Sequence, residues 1–296
     1  METVDVSFTR TTPMTAKYMR FGALLRAGVT LLSFFALAVG PACQVADPAP
    51  VSAKLGALLS HLAADSGIKL VRIPAGTFLM GSAGGESGRA NNEGPQTQVT
   101  LTRDFFVGAT DVTQGQYEAI MGTNPSFFKA AGRDAPVESV TWDDAIAFCQ
   151  KLTERERAAG RLPEGCAFTL PTEAQWEYAC RAGTTGPFAG DLDAMAWYNK
   201  NSGRTTHPVG QKQPNAWGLY DMHGNVWEWV LDWYGDYSGG AVTDPAGPTT
   251  GANRVHRGGS WSNAASDCRS ADRHGDLASD RSSHSLGFRL ALIFAR

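Results

Sequence analysis

The sequence predicts an α+β fold, and three observations carry that expectation. Short blocks rich in alternating apolar residues are bounded by Gly and Pro, the pattern of strands and turns. Three stretches open on a capping Thr and continue with apolar residues at helical spacing. Beyond them the chain is rich in Gly, Asn and Trp, which suits short irregular elements held by aromatic packing. All eight Trp lie between Trp142 and Trp261, so the densest packing is expected in the C-terminal half.

Taken in order, residues 44–68 mix Ala, Pro, Leu and Ser, and read as a linker with one short helix over Ala53–Ala64. The folded domain is expected near Lys69 and continues as one domain over 69–295. Leu70 to Gly81 reads as two strands around the turn Pro74-Ala-Gly76. A polar loop, Gly84–Pro95, precedes a strand at Gln98–Val107. Helices follow at Thr113–Met121 and Thr141–Arg157, the second with Asp143 and Asp144 in its first turn, where the helix dipole favours acids. Its Ala145, Phe148, Cys149 and Leu152 share one apolar face. Phe168-Thr-Leu-Pro-Thr172 reads as a strand and a cap opening a third helix through Arg181.

At 296 residues and 43% hydrophobic, the chain has enough material for a sizeable core. A net charge of -3 leaves no basic footprint for nucleic acid. Residues 1–42 read as an export signal region: Arg20 and Arg26 precede the apolar run Gly28–Gly40, too short to span a bilayer comfortably. Met19 is a candidate true start. Gly40-Pro-Ala-Cys43 is similar to a bacterial lipoprotein cleavage box, though Pro41 is unusual there. Membrane attachment through a lipid on Cys43 and simple cleavage after Ala42 both stay open, and either implies the bacterial cell envelope or surface. Export permits disulfides among Cys149, Cys166, Cys180 and Cys268; buried free thiols are the competing reading.

Six blocks then fall in order: Thr77-Phe-Leu-Met-Gly81; Pro136-Val-Glu-Ser-Val-Thr-Trp142 with Asp144-Ala; Leu170-Pro-Thr-Glu-Ala-Gln-Trp-Glu-Tyr-Ala179; Asn215 to Trp229; Arg257-Gly-Gly-Ser-Trp261; and Gly287-Phe-Arg289. Together they resemble the formylglycine-generating enzyme, or sulfatase-modifying factor, family over nearly all of residues 69–293. The resemblance implies a modified C-type-lectin-like fold with little regular secondary structure. On burial grounds, Trp217, Trp227 and Trp229 read as core anchors. Gly258 and Gly259 read as positions where a Cβ would clash, and Glu173 and Glu177 as partners of buried backbone or Arg. The resemblance also places Asp221, Gly224, Val226 and Glu228 on a structural calcium site, a donor set of carboxylates and carbonyls that suits a hard cation. Pairing of Asp221 and Glu228 with Arg residues is the alternative.

The enzymes of that family resemble this chain but carry two cysteines five residues apart after the Gly-Gly-Ser block, as Cu(I) ligands. Here Asn263 stands at the first position, and Cys268 reaches the second only without a gap. Copper is therefore not expected. If the chain is an enzyme, an oxidoreductase acting on a peptide or peptide-derived substrate, Cys268 is its candidate catalytic residue, with Trp261 and Arg269 shaping the pocket.

A second group with this domain is also similar: the variable proteins of diversity-generating retroelements, whose C-terminal loop varies at Asn codons. Adenine changes in such codons yield Ser, Asp, His and Gly. Ser262, Asn263, Asp267, Asp272, His274, Gly275, Asp276, Ser282, Ser283, His284 and Ser285 fall in that set, while Cys268–Ala271, Arg273 and Leu286–Arg289 look like a constant frame. With no Val, Ile, Phe, Tyr or Trp, the stretch from Ser262 to Ser285 is expected to face solvent between pinned ends. The leading reading is an exported, ligand-binding protein whose partner is a protein or surface ligand. It would be contacted by Trp261 as a rigid anchor together with Ser262, Asn263, Asp267, Asp272, His274, Asp276, Ser282, Ser283, His284 and Ser285. A structural or assembly role is the blander alternative.

Overall fold

Three threonines start the helices that frame the molecule. The computed structural model describes residues 49–280 and 283–294; the export region, Cys43 and Ser282 lie outside them. Helices α2 (Gln114–Met121), α3 (Trp142–Ala158) and α4 (Glu173–Arg181) are each preceded by a Thr whose hydroxyl accepts an amide of the first turn, while Gln116, Asp144 and Gln175 reach back to the cap amide. Each reciprocal pair satisfies two backbone donors that a helix start otherwise leaves open. Helix α1 spans Ala49–Asp65 and the short α5 spans Leu192–Met195.

The expected linker is in part a packed element. Leu55, Leu58 and Leu62 of α1 recur at helical spacing and are buried, with Ile68, in the cluster built on Phe148, Leu152 and Phe288. The reading of 43–68 as a linker is corrected to that extent, because an apolar stripe of this kind is stable only against a core.

Eleven strands form three sheets among the described residues. The first has the order β1 (Leu70–Ile73), β4 (Phe105–Gly108), β11 (Ala291–Phe294), β5 (Cys166–Thr169). The second joins β2 (Gly76–Met80), β3 (Thr97–Leu101) and β7 (Gly240–Thr243). The single strand expected over Gln98–Val107 is thus two, β3 and β4, which serve different sheets. The third sheet carries the site: β10 (Leu286–Phe288), β6 (Trp227–Trp233), β8 (Asn253–Arg257) and β9 (Arg273–Leu277), with β10 parallel to β6 and the other pairs antiparallel.

The register of this sheet sorts side chains between its two faces, as a period of two requires. Trp229 lies opposite His256, and His256 opposite His274; Glu228 lies opposite Arg257, and Arg257 opposite Arg273. One face carries Trp227, Trp229, His256 and His274, with ring centroids 4.9 to 5.8 Å apart. The other packs against α4, where Val230 and Val255 share a cluster with Ala174 and Trp176.

Candidate functional site

The face against α4 holds a network of buried charge. Glu177 accepts from Arg257 and from Arg181 Nε at 2.8 Å, and also receives the Gly81 amide at 2.8 Å. Glu173 binds Arg273 through both oxygens at 2.7 Å. Glu228 takes Arg289 in the same bidentate way and adds the Trp176 indole at 2.8 Å. All these side chains are buried. Glu173 and Glu177 therefore partner arginines, as the sequence suggested, and do not form an acid–base pair. Paired with opposite charge and hydrogen-bonded at nearly every polar atom, Arg257 Nε excepted, such charges tolerate burial that none would tolerate alone.

The same logic overturns the expectation of a solvent-facing loop over 262–285. Cys268 to Arg273 is buried, and β9 is a strand. The segment has almost no apolar side chains, but Arg269 ties it inward. Its guanidinium reaches Glu86 at 2.8 Å, Glu93 at 2.5 and 2.7 Å, and the Gly88 carbonyl at 2.8 Å. Ordering comes from charge-assisted hydrogen bonds to the Gly84–Pro95 loop and α4, a route that hydrophobicity does not register.

Cys268 has no solvent exposure and packs with Ala196 and Tyr198. Burial pushes its thiol above the ordinary value. Gly259, at φ +72°, lies against it: a Cβ there would meet Cys268 Sγ at 2.6 Å. The neutral His223, lowered to about 4 by burial, braces the same turn by contacting the Cys268 carbonyl at 2.8 Å. A reactive cysteine or copper ligand needs thiolate character and access. Asn263, at the other copper position, uses its Oδ1 to accept the Trp227 indole at 2.9 Å. Cys149, Cys166 and Cys180 are likewise buried, and the described cysteines form no disulfide.

The opposite face is where the predicted contact residues emerge. His274 is exposed, with Nε2 3.4 Å from Asp272 Oδ2; that contact raises its pKa, whereas burial lowers that of His256. Asp276 is half-buried beside His256 at 3.1 Å. Ser262 and His284 are exposed, and Trp261, Asn263, Asp267, Ser283 and Ser285 are half-buried. Asp272 is buried, which corrects its reading as a contact residue: it lies inward of His274 and raises that ring's pKa.

Backbone contacts join these residues into one patch. Trp261 Nε1 donates to the His284 carbonyl at 3.1 Å, and the Trp227 amide to that of Ser285 at 2.7 Å. Two phenylalanines not singled out from the sequence complete it. Phe128 meets Trp261 edge-on at 5.1 Å, and Phe127, 62% exposed, stacks on His284 at 4.1 Å. They sit in the loop after α2, where neither periodicity nor charge marks them; two adjacent aromatics between Gly122 and Gly132 were the available signal. The surface formed is a broad aromatic and polar platform, with Trp227 forming its inner edge.

The calcium set lies on the buried side. Asp221 stands at φ +58°, accepts the Gly210 amide at 2.8 Å, and leaves its Oδ1 buried and unpartnered. Glu228 is engaged by Arg289, so the alternative pairing holds for that residue. Burial raises Asp221 to about 6, and Asp111 nearby, which makes no hydrogen bond but lies 3.7 Å from Arg289, is also raised by burial. Asp221, Asp111 and Glu228 thus gather around one guanidinium, Arg289. The oxygen left for a hard divalent cation is Asp221 Oδ1, which Glu228 would join only alongside Arg289. Among the described residues, no group of three His, Cys, Asp or Glu side chains is arranged to hold a metal, so backbone carbonyls of Gly224 and Val226 would have to complete the shell.

A sheet–helix scaffold with short strands and a platform built on Gly-Gly-Ser-Trp defines a class of domain, and the comparisons place the chain in it. Residues 57–293 match the Sulfatase-modifying factor enzyme 1-like domain, and the chain belongs to that family. It is 32% identical to the formylglycine-generating enzyme of Streptomyces coelicolor, with 75% of this chain and 88% of that protein covered. It is 33% identical to the chaperone protein LppX of Paenibacillus barcinonensis over 55% of this chain and 71% of that one. Among solved structures it is similar to Treponema denticola variable protein 1, at 34% identity and a TM-score of 0.66, covering 76% of this chain and 94% of that one. The fold is the modified C-type-lectin-like fold that the resemblance implied.

Proposed function

We propose that the chain is an exported ligand-binding protein that presents the platform of Trp261, Phe127, His284, Asn263, His274 and Asp276 to a protein or surface ligand. The observation that carries this reading is the division of the C-terminal segment. Its charged anchors are consumed inside, its one cysteine is sealed, and its Ser, Asn, Asp and His residues reach the surface beside aromatic rings. Rigid aromatics flanked by small polar groups are the composition of adaptable recognition surfaces. The similarity to a variable protein supports the same reading, including diversification of the platform. Export and attachment through Cys43 would place that surface outside the cytoplasm.

The test is a library with Asn codons randomised at 262, 263, 274, 276 and 284, set against one randomised at 269, 271 and 273. Most members of the first set should fold with melting temperatures near the parent, and members binding an immobilised target should be recoverable. If both libraries lose folding equally, the platform is not a separable surface. An adenine-rich near-copy of the DNA encoding 254–290, beside a reverse-transcriptase gene, would establish diversification.

The formylglycine-generating relatives favour a second reading, an oxidoreductase acting on a peptide or peptide-derived substrate. Cu(I)-loaded protein should leave a Cys-containing sulfatase peptide unconverted; conversion would displace the binding reading. Should another oxidase activity be found, Cys268→Ser must abolish it for Cys268 to be its catalytic residue.

Calcium belongs to the same proposal as a structural ion held by Asp221, Gly224, Val226 and Glu228. At 100-fold excess over its Kd it would stabilise the fold by about 2.7 kcal/mol. The melting temperature should rise with calcium, fall with chelator, and lose both responses in Asp221→Asn.

A further inference from the structure

A cavity of about 290 Å³ opens between α4, the end of β6 and the β2-β3-β7 sheet, away from the recognition platform. Met80, Val99, Val242 and Pro248 give it apolar walls, and Glu173, Asp232 and Arg273 lie at its polar end. What that end offers is decided by what is already used. Arg273 has its Nε and Nη2 on Glu173 and its Nη1 on the Gly235 carbonyl at 2.8 Å, with Tyr234 and Tyr237 rings against its plane. It has little left for an anion. Glu173 is filled by Arg273 and by the Tyr237 hydroxyl at 3.1 Å.

Asp232 is different. Only 4% exposed, it accepts the Glu173 amide through Oδ2 at 2.8 Å, and among the described residues no hydrogen-bond donor is placed on Oδ1. Gly247, at φ +68°, borders that atom: a Cβ there would lie 3.0 Å from Oδ1, so only glycine lets the 245–248 loop close this near without pressing on it. Oδ1 is thus an acceptor at the cavity surface, open to a donor brought by a ligand. Facing an apolar-walled space, it calls for a ligand with a donor at one end and a compact hydrophobic body.

We propose that this cavity binds a small primary ammonium ligand, with Asp232 Oδ1 as its counter-charge and the Met80, Val99 and Val242 wall enclosing its apolar body. No arginine or lysine among the lining residues is free to repel the ammonium, and Asp236 at the exposed rim adds negative charge. The groups facing Asp232 are Glu173 from α4, Arg273 from β9 and Arg254 from β8; burial first, then Glu173, lifts its pKa to about 7. A ligand needing the carboxylate then binds about tenfold tighter at pH 8 than at pH 6, the change in its ionised fraction.

Benzylamine and its uncharged counterpart benzyl alcohol are the probes, titrated calorimetrically into the intact protein. Saturable one-to-one binding of benzylamine is expected, at least tenfold tighter than the alcohol and tighter at pH 8 than at pH 6. Asp232→Asn should lose the preference for the amine and its pH dependence. Val242→Phe, which fills the half-buried wall without touching the charge network, should block both probes while leaving the melting temperature near that of the parent. No saturation by about 10 mM, equal binding of amine and alcohol, or an unchanged Asp232→Asn variant would overturn the proposal.

Discussion

The two faces of the β10-β6-β8-β9 sheet are built from the same strands and the same polar alphabet, yet they do opposite things. Against α4, Arg257, Arg273, Glu228 and their partners are buried and paired with opposite charge. On the other side His274, Asn263 and Trp261 carry comparable polarity at the surface. The residues Arg273 and His274 are neighbours in sequence and are divided only by the alternation of a strand. Polarity alone therefore says little about role here. What separates the faces is whether the neighbouring element supplies the complementary charge.

The difference can be broken most forcefully from the buried side. Arg257→Met removes the partner of Glu177 and leaves that carboxylate buried beside Arg181 alone. A loss of about 3–5 kcal/mol is expected in urea unfolding; a loss below about 1 kcal/mol would mean the network does not hold the fold.

A pH comparison sharpens the same point. The folded-state pKa of Asp232 is raised to about 7 from 3.8. Its contribution to stability is whole below about pH 4 and is lost as pH rises through 7. Asp232→Asn should match the parent near pH 4 and exceed it at pH 8 by up to about 4 kcal/mol. His223 acts in the reverse direction, its lowered pKa withdrawing stability as pH falls from 6.5 towards 4. That term is common to parent and variant and drops out of their difference in chemical-denaturation curves.

The smallest expected effects lie on the outer face. Phe127→Ala and His274→Ala should each change stability by no more than about 0.5 kcal/mol, because their side chains are exposed. Both should weaken capture of any ligand selected on the platform. Loss of folding in either would show that this face, too, is structural.

Much of the framework was legible because it follows local rules. The Thr caps at 113, 141 and 172 mark their helices, and the apolar stripe of α3 marks its buried side. Gly259 was legible as a close approach before its neighbour, Cys268, was known. The platform was legible only in part. His274 and His284 could be named from composition, but Asp272 could not be separated from them, since its burial depends on strand register and on Arg269 reaching Glu93. Phe128 and Phe127 enter the site through contacts with Trp261 and His284, each more than 130 residues away in sequence, for which the local pattern holds no sign. The packing of α1 was hidden for a related reason: its short stripe looks like linker until the core it covers is known.

The opposed pairing of β8 with β9 also constrains how this region can change over time. From Arg273 to Leu277 each position of β9 is committed to the inside or the outside by parity, so a single residue inserted after Arg273 would turn His274 into the charge network. The turn at Ser262–Ala265, with Ser262 and Ala264 exposed, has no such constraint. Substitution is thus the open route to novelty along β9, whereas growth or loss of length is open only in the turn. A point change at an outer position of β9 leaves this register intact, and a change of length inside the strand breaks it.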